Sequence, residues 1–139
     1  MKNWILTSLG VVGSFISAMF GGWTTALTTM VILMGVDYIT GLIVAGVFHK
    51  SPKTETGALE SKAGFKGLLR KFTALAFVLV GYRLDLMTGY PLVKDAVCIF
   101  YICNEALSII ENAGLMGIPI PNVIKKAIDL LHEKENDNE

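Results

Sequence analysis

The chain has 139 residues, enough for one domain, and its 12 basic and 12 acidic side chains balance to zero net charge. Apolar residues make up 53% of the sequence, and basic residues crowd together only in one short connecting segment. Nucleic acid requires a broader basic surface than that. These numbers exclude a nucleic-acid-binding protein and favour a protein with largely apolar surroundings.

An uncharged stretch runs from Asn3 to Val36. It exceeds the roughly 20 apolar residues that one membrane-crossing helix needs, and Gly21-Gly22 divides it into two predicted spans. The helices of a water-soluble domain would instead show a polar face with a period of about 3.6 residues. We therefore predict an all-α integral membrane protein with its transmembrane domain over residues 1–120.

The first predicted span covers residues 4–20. It carries small residues at four-residue spacing: Gly10, Ser14 and Ala18. Small residues four apart let two helix backbones approach closely in lipid, where packing replaces the hydrophobic effect. This stripe is therefore a candidate for helix packing. The alternative is that membrane helices are simply rich in such residues.

The second predicted span, residues 23–47, contains an acid near its middle. An acid at that depth costs several kcal/mol unless it is paired, hydrated or protonated, so Asp37 should face water or another helix. Thr40 and Gly41 follow on the neighbouring face. We interpret Asp37 and Gly41 as pore or assembly residues; the alternative is a structural aspartate bonded to a threonine and the backbone.

The connecting segment over residues 48–71 is polar and basic, and its second half is predicted to be helical. Its basic side chains are Lys62, Lys66, Arg70 and Lys71, among others. By the positive-inside rule this segment faces the cytoplasm, and with two spans before it the N-terminus is also cytoplasmic.

Two further spans are predicted over residues 72–87 and 92–110, although the first could be re-entrant, which would leave three spans. Asn104, Ser108 and Glu111 share one helix face, with Glu105 beside it. This stripe is too polar for contact with lipid. We expect these residues to line a pore or an assembly interface, where polar groups of neighbouring copies meet.

The remaining residues, 121–139, are predicted to form a cytoplasmic amphipathic helix followed by a disordered charged tail. Pro121 stops the preceding segment and Asn122 can cap a helix from Val123 to His132. Four spans place the C-terminus in the cytoplasm.

The sequence lacks the motifs of common enzyme and metal sites, so we expect no enzyme, cofactor or metal centre. Cys98 and Cys103 are interpreted as buried free thiols. His49 and His132 have no partner ligand at metal spacing along the sequence.

Three blocks of sequence together resemble the phage-lysis and toxin-secretion holins of Gram-positive bacteria and their phages. The blocks are Asp37 to Ile43, Ser61 to Lys71, and Asn104 to Asn112 followed by Gly117 to Pro121. The resemblance implies a protein that accumulates in the cytoplasmic membrane of the host bacterium and forms homo-oligomers there. It then opens lesions through which an endolysin or a toxin crosses, in some systems under the control of an antiholin.

Three alternatives stay open at this stage. A small membrane lipid kinase would need a cluster of acids for Mg²⁺ that the chain does not supply convincingly. A selective channel or small transporter subunit would use Asp37 and Glu105 as ion or proton sites. An antiholin would have nearly the same sequence features as a holin.

Overall fold

The computed structural model describes residues 1–137 and contains five helices: α1 (Lys2–Met19), α2 (Thr25–Gly46), α3 (Ser61–Thr88), α4 (Val93–Leu115) and α5 (Asn122–Asp137). Within this part of the chain there is no β-strand, which confirms the all-α prediction. Thr24 caps α2, since its side-chain oxygen accepts a hydrogen bond from the N–H of Leu27 at 3.2 Å.

Two boundaries differ from the prediction. Helix α3 begins at Ser61, so the last basic residues of the predicted segment over 48–71 lie on the same continuous helix as the third predicted span. Helix α5 continues to Asp137, so the prediction of a disordered tail is wrong for residues 133–137. Residues 138 and 139 lie outside the described residues.

In the described chain, α2 is the one helix with the length and apolar composition needed to cross a membrane. Helix α1 begins with Lys2 and Asn3, and α3 and α4 carry charged residues along their length. Each of these features lowers the mean hydropathy of its helix. The four predicted spans correspond to four helices, but crossing by α1, α3 and α4 stays a prediction.

Helix α4 lies at the centre and packs against α2, α3 and α5. The core between them is built from Leu27, Met30, Met34, Ala74, Val78, Cys98 and Ile102. The buried positions of α2 and α3 recur at alternating spacings of three and four, which is the pattern of helices packed side by side. Helix α1, by contrast, has no buried residue.

The backbones of α3 and α4 approach each other closely at Gly81. A Cβ atom added there would lie 3.2 Å from the Cα of Lys94 and 3.3 Å from the carbonyl carbon of Val93. Backbone atoms cannot rotate away as a side chain can, so the helices would have to separate.

Gly81→Ala is therefore expected to lower the free energy of unfolding by about 1–3 kcal/mol, the usual cost of overpacking. The control is Gly35→Ala in α2, where an added Cβ would meet no atom within 4 Å. That change should be neutral or stabilising by up to about 1 kcal/mol through helix propensity. Both values can be measured by denaturant unfolding in detergent, and equal effects would contradict the close approach.

Candidate functional site

Three charged side chains from three different helices meet inside the bundle. The ammonium of Lys71 on α3 lies 2.7 Å from Oδ2 of Asp37 on α2 and 2.6 Å from Oε2 of Glu105 on α4. Asp37 is 5% exposed and Glu105 is 7% exposed, so both acids are shielded from water. We call Asp37, Lys71 and Glu105 the ionic triad.

Asn112 and Thr40 complete the hydrogen bonding around Asp37. The side-chain amide of Asn112 donates to Oδ1 of Asp37 at 3.1 Å and to the hydroxyl of Thr40 at 2.8 Å. The Thr40 hydroxyl donates to the backbone carbonyl of Asp37 at 3.1 Å. Over the described residues, every buried side-chain nitrogen and oxygen has a hydrogen-bond partner. The carboxylate is thus held by one cation and one amide, which offsets the cost of burying it.

The helix periods explain why these side chains meet. Asp37 is in phase with the core residues Met30 and Met34 of α2, and Lys71 is in phase with Ala74 and Val78 of α3. Glu105 and Asn112 lie seven residues apart on α4 and are both buried. The triad therefore lies on the same inward-facing stripes that form the apolar core.

A cavity of about 360 Å³ lies beside the triad. Besides the triad, its walls include the polar side chains of Tyr38, Arg70, Asn104, Ser108 and Glu111. Asn104 and Glu111 are exposed, whereas Ser108 is half-buried. The cavity gives water or a small polar group access to one side of the triad.

The predicted site residues divide into two groups. Asp37, Glu105 and Ser108 lie at the triad, and Gly41 packs near it, since an added Cβ would lie 3.8 Å from the amide nitrogen of Asn112. Asn104 and Glu111 line only the cavity. The sequence predicted that polar groups meet across copies; instead, Asp37 and Glu105 find their cation within one chain. Their role in a pore or an assembly stays a prediction.

The basic residues predicted to form a cytoplasmic surface also fall into two groups. Lys62, Lys66 and Arg70 are exposed, and their place on the cytoplasmic side stays a prediction. Lys71 is the exception, because its side chain is only 14% exposed and its ammonium reaches both acids. Its phase with Ala74 and Val78 was the sequence signal that could have identified it.

A second buried polar cluster lies at the opposite end of α3. The carboxylate of Asp85 accepts hydrogen bonds from the backbone N–H groups of Leu92, Val93 and Lys94 at 3.2, 2.7 and 3.0 Å. The Leu92 N–H also bonds to the carbonyl of Tyr90, whereas Val93 and Lys94 lie in the first turn of α4, where N–H groups have no partner within the helix. Asp85 thus serves as the N-terminal cap that α4 lacks locally. Sequence reasoning missed this role.

Lys94 connects this second cluster to the turn between α1 and α2. Its ammonium donates to the backbone carbonyl of Phe20 and, at 3.2 Å, to that of Gly22. The same ammonium lies 5.4 Å from the centre of the Tyr82 ring, a cation–π distance. The turn at Gly21-Gly22 is thereby held against the start of α4.

The small-residue stripe of α1 contacts no other part of the bundle closely. Gly10, Ser14 and Ala18 are all exposed, and an added Cβ at Gly10 would meet no atom within 4 Å. Within the described part of one chain, therefore, the stripe does not pack against another helix, and its role in helix packing stays a prediction.

Comparison with known proteins matches residues 14–133 to a model of the bacteriophage holin family. An uncharacterized protein of Halalkalibacterium halodurans is 36% identical, over 98% of this chain and 99% of that protein. A 14.9 kDa protein of Clostridium perfringens is 34% identical, over 96% of this chain and 94% of its own. No solved structure matches the chain significantly.

A relative with a functional name comes from a phage. A protein named "Probable holin" of Bacillus phage phi105 is 36% identical, over 81% of this chain and 76% of that protein. Residues 14–133, which the family model matches, contain the ionic triad and the Asp85 cap. The chain belongs to the bacteriophage holin family.

Proposed function

We propose that this protein is a holin that assembles in the bacterial cytoplasmic membrane and forms lesions through which an endolysin, or a toxin, crosses. The observation that carries the proposal, beside the family itself, is helix α1. Large apolar side chains are exposed all around it, among them Trp4, Leu6, Leu9, Val11 and Phe15, at 62–67% exposure. So large an apolar surface on a protein marks contact with lipid or with another protein.

The proposed topology has four crossings, made by α1 to α4. The exposed Lys62, Lys66 and Arg70 then mark the cytoplasmic side, because cytoplasmic connections carry the excess of Lys and Arg. The N-terminus and the start of α5 lie on that same side, and α5 packs back along α4 as far as Cys103. The ionic triad lies in the cytoplasmic half of the bundle, at the middle turns of α2 and α4, and the Asp85 cluster lies near the outer end.

The proposed mechanism separates a fixed part of the molecule from an associating part. The triad, the core and the Asp85 cap hold α2, α3 and α4 together within each copy. Helix α1 is attached through the turn that Lys94 binds, and its small residues are free to pack against other copies. Association then depends on concentration, so lesions open once enough copies have accumulated.

Inducible expression in a bacterium that also produces a cytosolic endolysin tests the function. We expect abrupt lysis with the endolysin and loss of viability without it. Release of ions but not of folded protein would instead indicate a channel. Delayed lysis of a strain that carries a separate working holin would indicate an antiholin, and each of these results would overturn the proposal.

A matched pair of substitutions tests the role of α1. Ser14→Leu places a large side chain on the small-residue face, whereas Ser8→Leu makes the same change about 120° away around the helix. Both serines are exposed. We expect Ser14→Leu to delay lysis strongly or abolish it, because the helix backbones can no longer approach closely. Ser8→Leu should lyse on the normal schedule. Equal timing at equal membrane protein levels would exclude this face as the contact.

A further inference from the structure

A set of metal-ligating side chains lies where α5 packs on α4, away from the ionic triad. The ligand atoms of Cys103 on α4 and of His132 and Glu135 on α5 all lie within 4.8 Å of one another. Nδ1 of His132 is 3.1 Å from Oε2 of Glu135. We propose that these three side chains bind a divalent zinc-type metal ion and thereby fasten α5 to the bundle.

The packing of α5 brings these residues together. Ile128 is buried and Leu131 packs against the core, which turns the face containing both residues toward α4. His132 and Glu135 follow on that face and are half-buried, while Cys103 beneath them is 1% exposed. An amphipathic helix usually turns such polar residues to water, whereas here the His132–Glu135 pair lies beside the sulfur of Cys103 in the packed interface.

The donor set suits zinc chemically. Zn²⁺ binds cysteine sulfur, histidine nitrogen and carboxylate oxygen, and at its usual bond lengths the ligand atoms of a tetrahedral site lie roughly 3.3–3.8 Å apart. The 3.1 Å between Nδ1 of His132 and Oε2 of Glu135 is close to that spacing. All three ligand atoms lie within 4.8 Å of one another, so small side-chain rotations would bring them to the spacing of a zinc site. Three protein ligands leave the fourth position to water.

The charges of such a site balance. Binding requires Cys103 to release its thiol proton to solvent, so the ligands are one thiolate, one carboxylate and one neutral imidazole. Together with Zn²⁺ they sum to zero net charge. A neutral site can be accommodated between packed helices at a much lower cost than an isolated charge.

Cobalt(II) provides the test, because a thiolate bound to Co²⁺ adds an intense near-ultraviolet charge-transfer band that carboxylate or imidazole ligands do not. The full chain is purified in detergent with an affinity tag free of histidine, stripped with a chelator and titrated with Co²⁺. We expect one equivalent to bind with this band and Zn²⁺ to displace it. No saturable band in the folded wild-type protein would overturn the proposal.

Matched variants assign the ligands. Cys103→Ser should abolish the thiolate band, whereas Cys98→Ser, at the other buried cysteine, should keep it. His132→Gln should weaken Co²⁺ binding by about tenfold or more, whereas His49→Gln in the connecting segment should not. Circular dichroism checks that each variant is folded. A band that survives in folded Cys103→Ser, or equal binding by the two histidine variants, would show that the three residues form only a packed thiol and a local His132–Glu135 contact.

Discussion

Replacing Lys71 with methionine is expected to lower the free energy of unfolding by about 3–5 kcal/mol, because the change leaves two carboxylates buried without their cation. Asp37 and Glu105 each lie within 2.7 Å of the ammonium and are less than 10% exposed. Methionine has a similar length and retains most of the apolar stem packing. The lost stability therefore reflects the missing charge interaction and not a cavity left by a shorter side chain. Denaturant unfolding in detergent gives the value.

Two comparisons separate this effect from simpler causes. Lys66→Met removes a charge from the same helix at an exposed position, and we expect no measurable loss of stability there. The triple variant Lys71→Met, Asp37→Asn and Glu105→Gln removes all three charges together. It should recover more than half of the lost stability, since replacing a whole buried ionic group costs less than breaking it. A triple variant no more stable than Lys71→Met would show that the triad is not a coupled unit.

The second large effect is expected at Asp85. Asp85→Ala should lower the free energy of unfolding by about 2–3 kcal/mol, because it removes an N-terminal cap and leaves backbone N–H groups unpaired in a buried place. Three backbone N–H groups bond to the carboxylate, the shortest at 2.7 Å from Val93, and of these Leu92 alone also bonds to the carbonyl of Tyr90. Asp85→Asn keeps one accepting oxygen and should lose about half as much. Thermal unfolding followed by circular dichroism can rank the variants.

Asp95 supplies the control for the Asp85 prediction. It also lies in the first turn of α4, but it is exposed and acts only on the helix dipole. Asp95→Ala should therefore cost no more than about 1 kcal/mol. If Asp95→Ala and Asp85→Ala were equally destabilising, the three backbone hydrogen bonds would contribute nothing beyond the dipole.

The two buried polar clusters explain how so apolar a bundle keeps a defined arrangement. Apolar side chains alone allow helices to slide and rotate, because many packings bury similar areas. An ionic triad at the middle of α2 and α4 and a cap at the start of α4 have few satisfactory geometries. We infer that Asp37, Lys71 and Glu105 set the rotation of three helices, and that Asp85 and Lys94 set how the helix pairs join.

The helical elements could be predicted from the sequence because their signals are local. The uncharged run with its break at Gly21-Gly22, the turn after Thr88 and the stop at Pro121 depend on residues within a few positions of one another. The sequence also predicted that Asp37 and Glu105 need a partner, because each is an acid within an apolar predicted span. Each of these predictions uses only the spacing along one helix.

The partners themselves were decided by the tertiary structure. Lys71 lies 34 residues from each of its acids, and Cys103 is far along the chain from His132. On the sequence Lys71 belongs with its exposed basic neighbours, and His132 has Glu135 three residues later but no cysteine nearby. Local spacing determines which face of a helix is polar. Which faces meet depends on how the helices cross and rotate against each other, and packing over the whole bundle sets that arrangement.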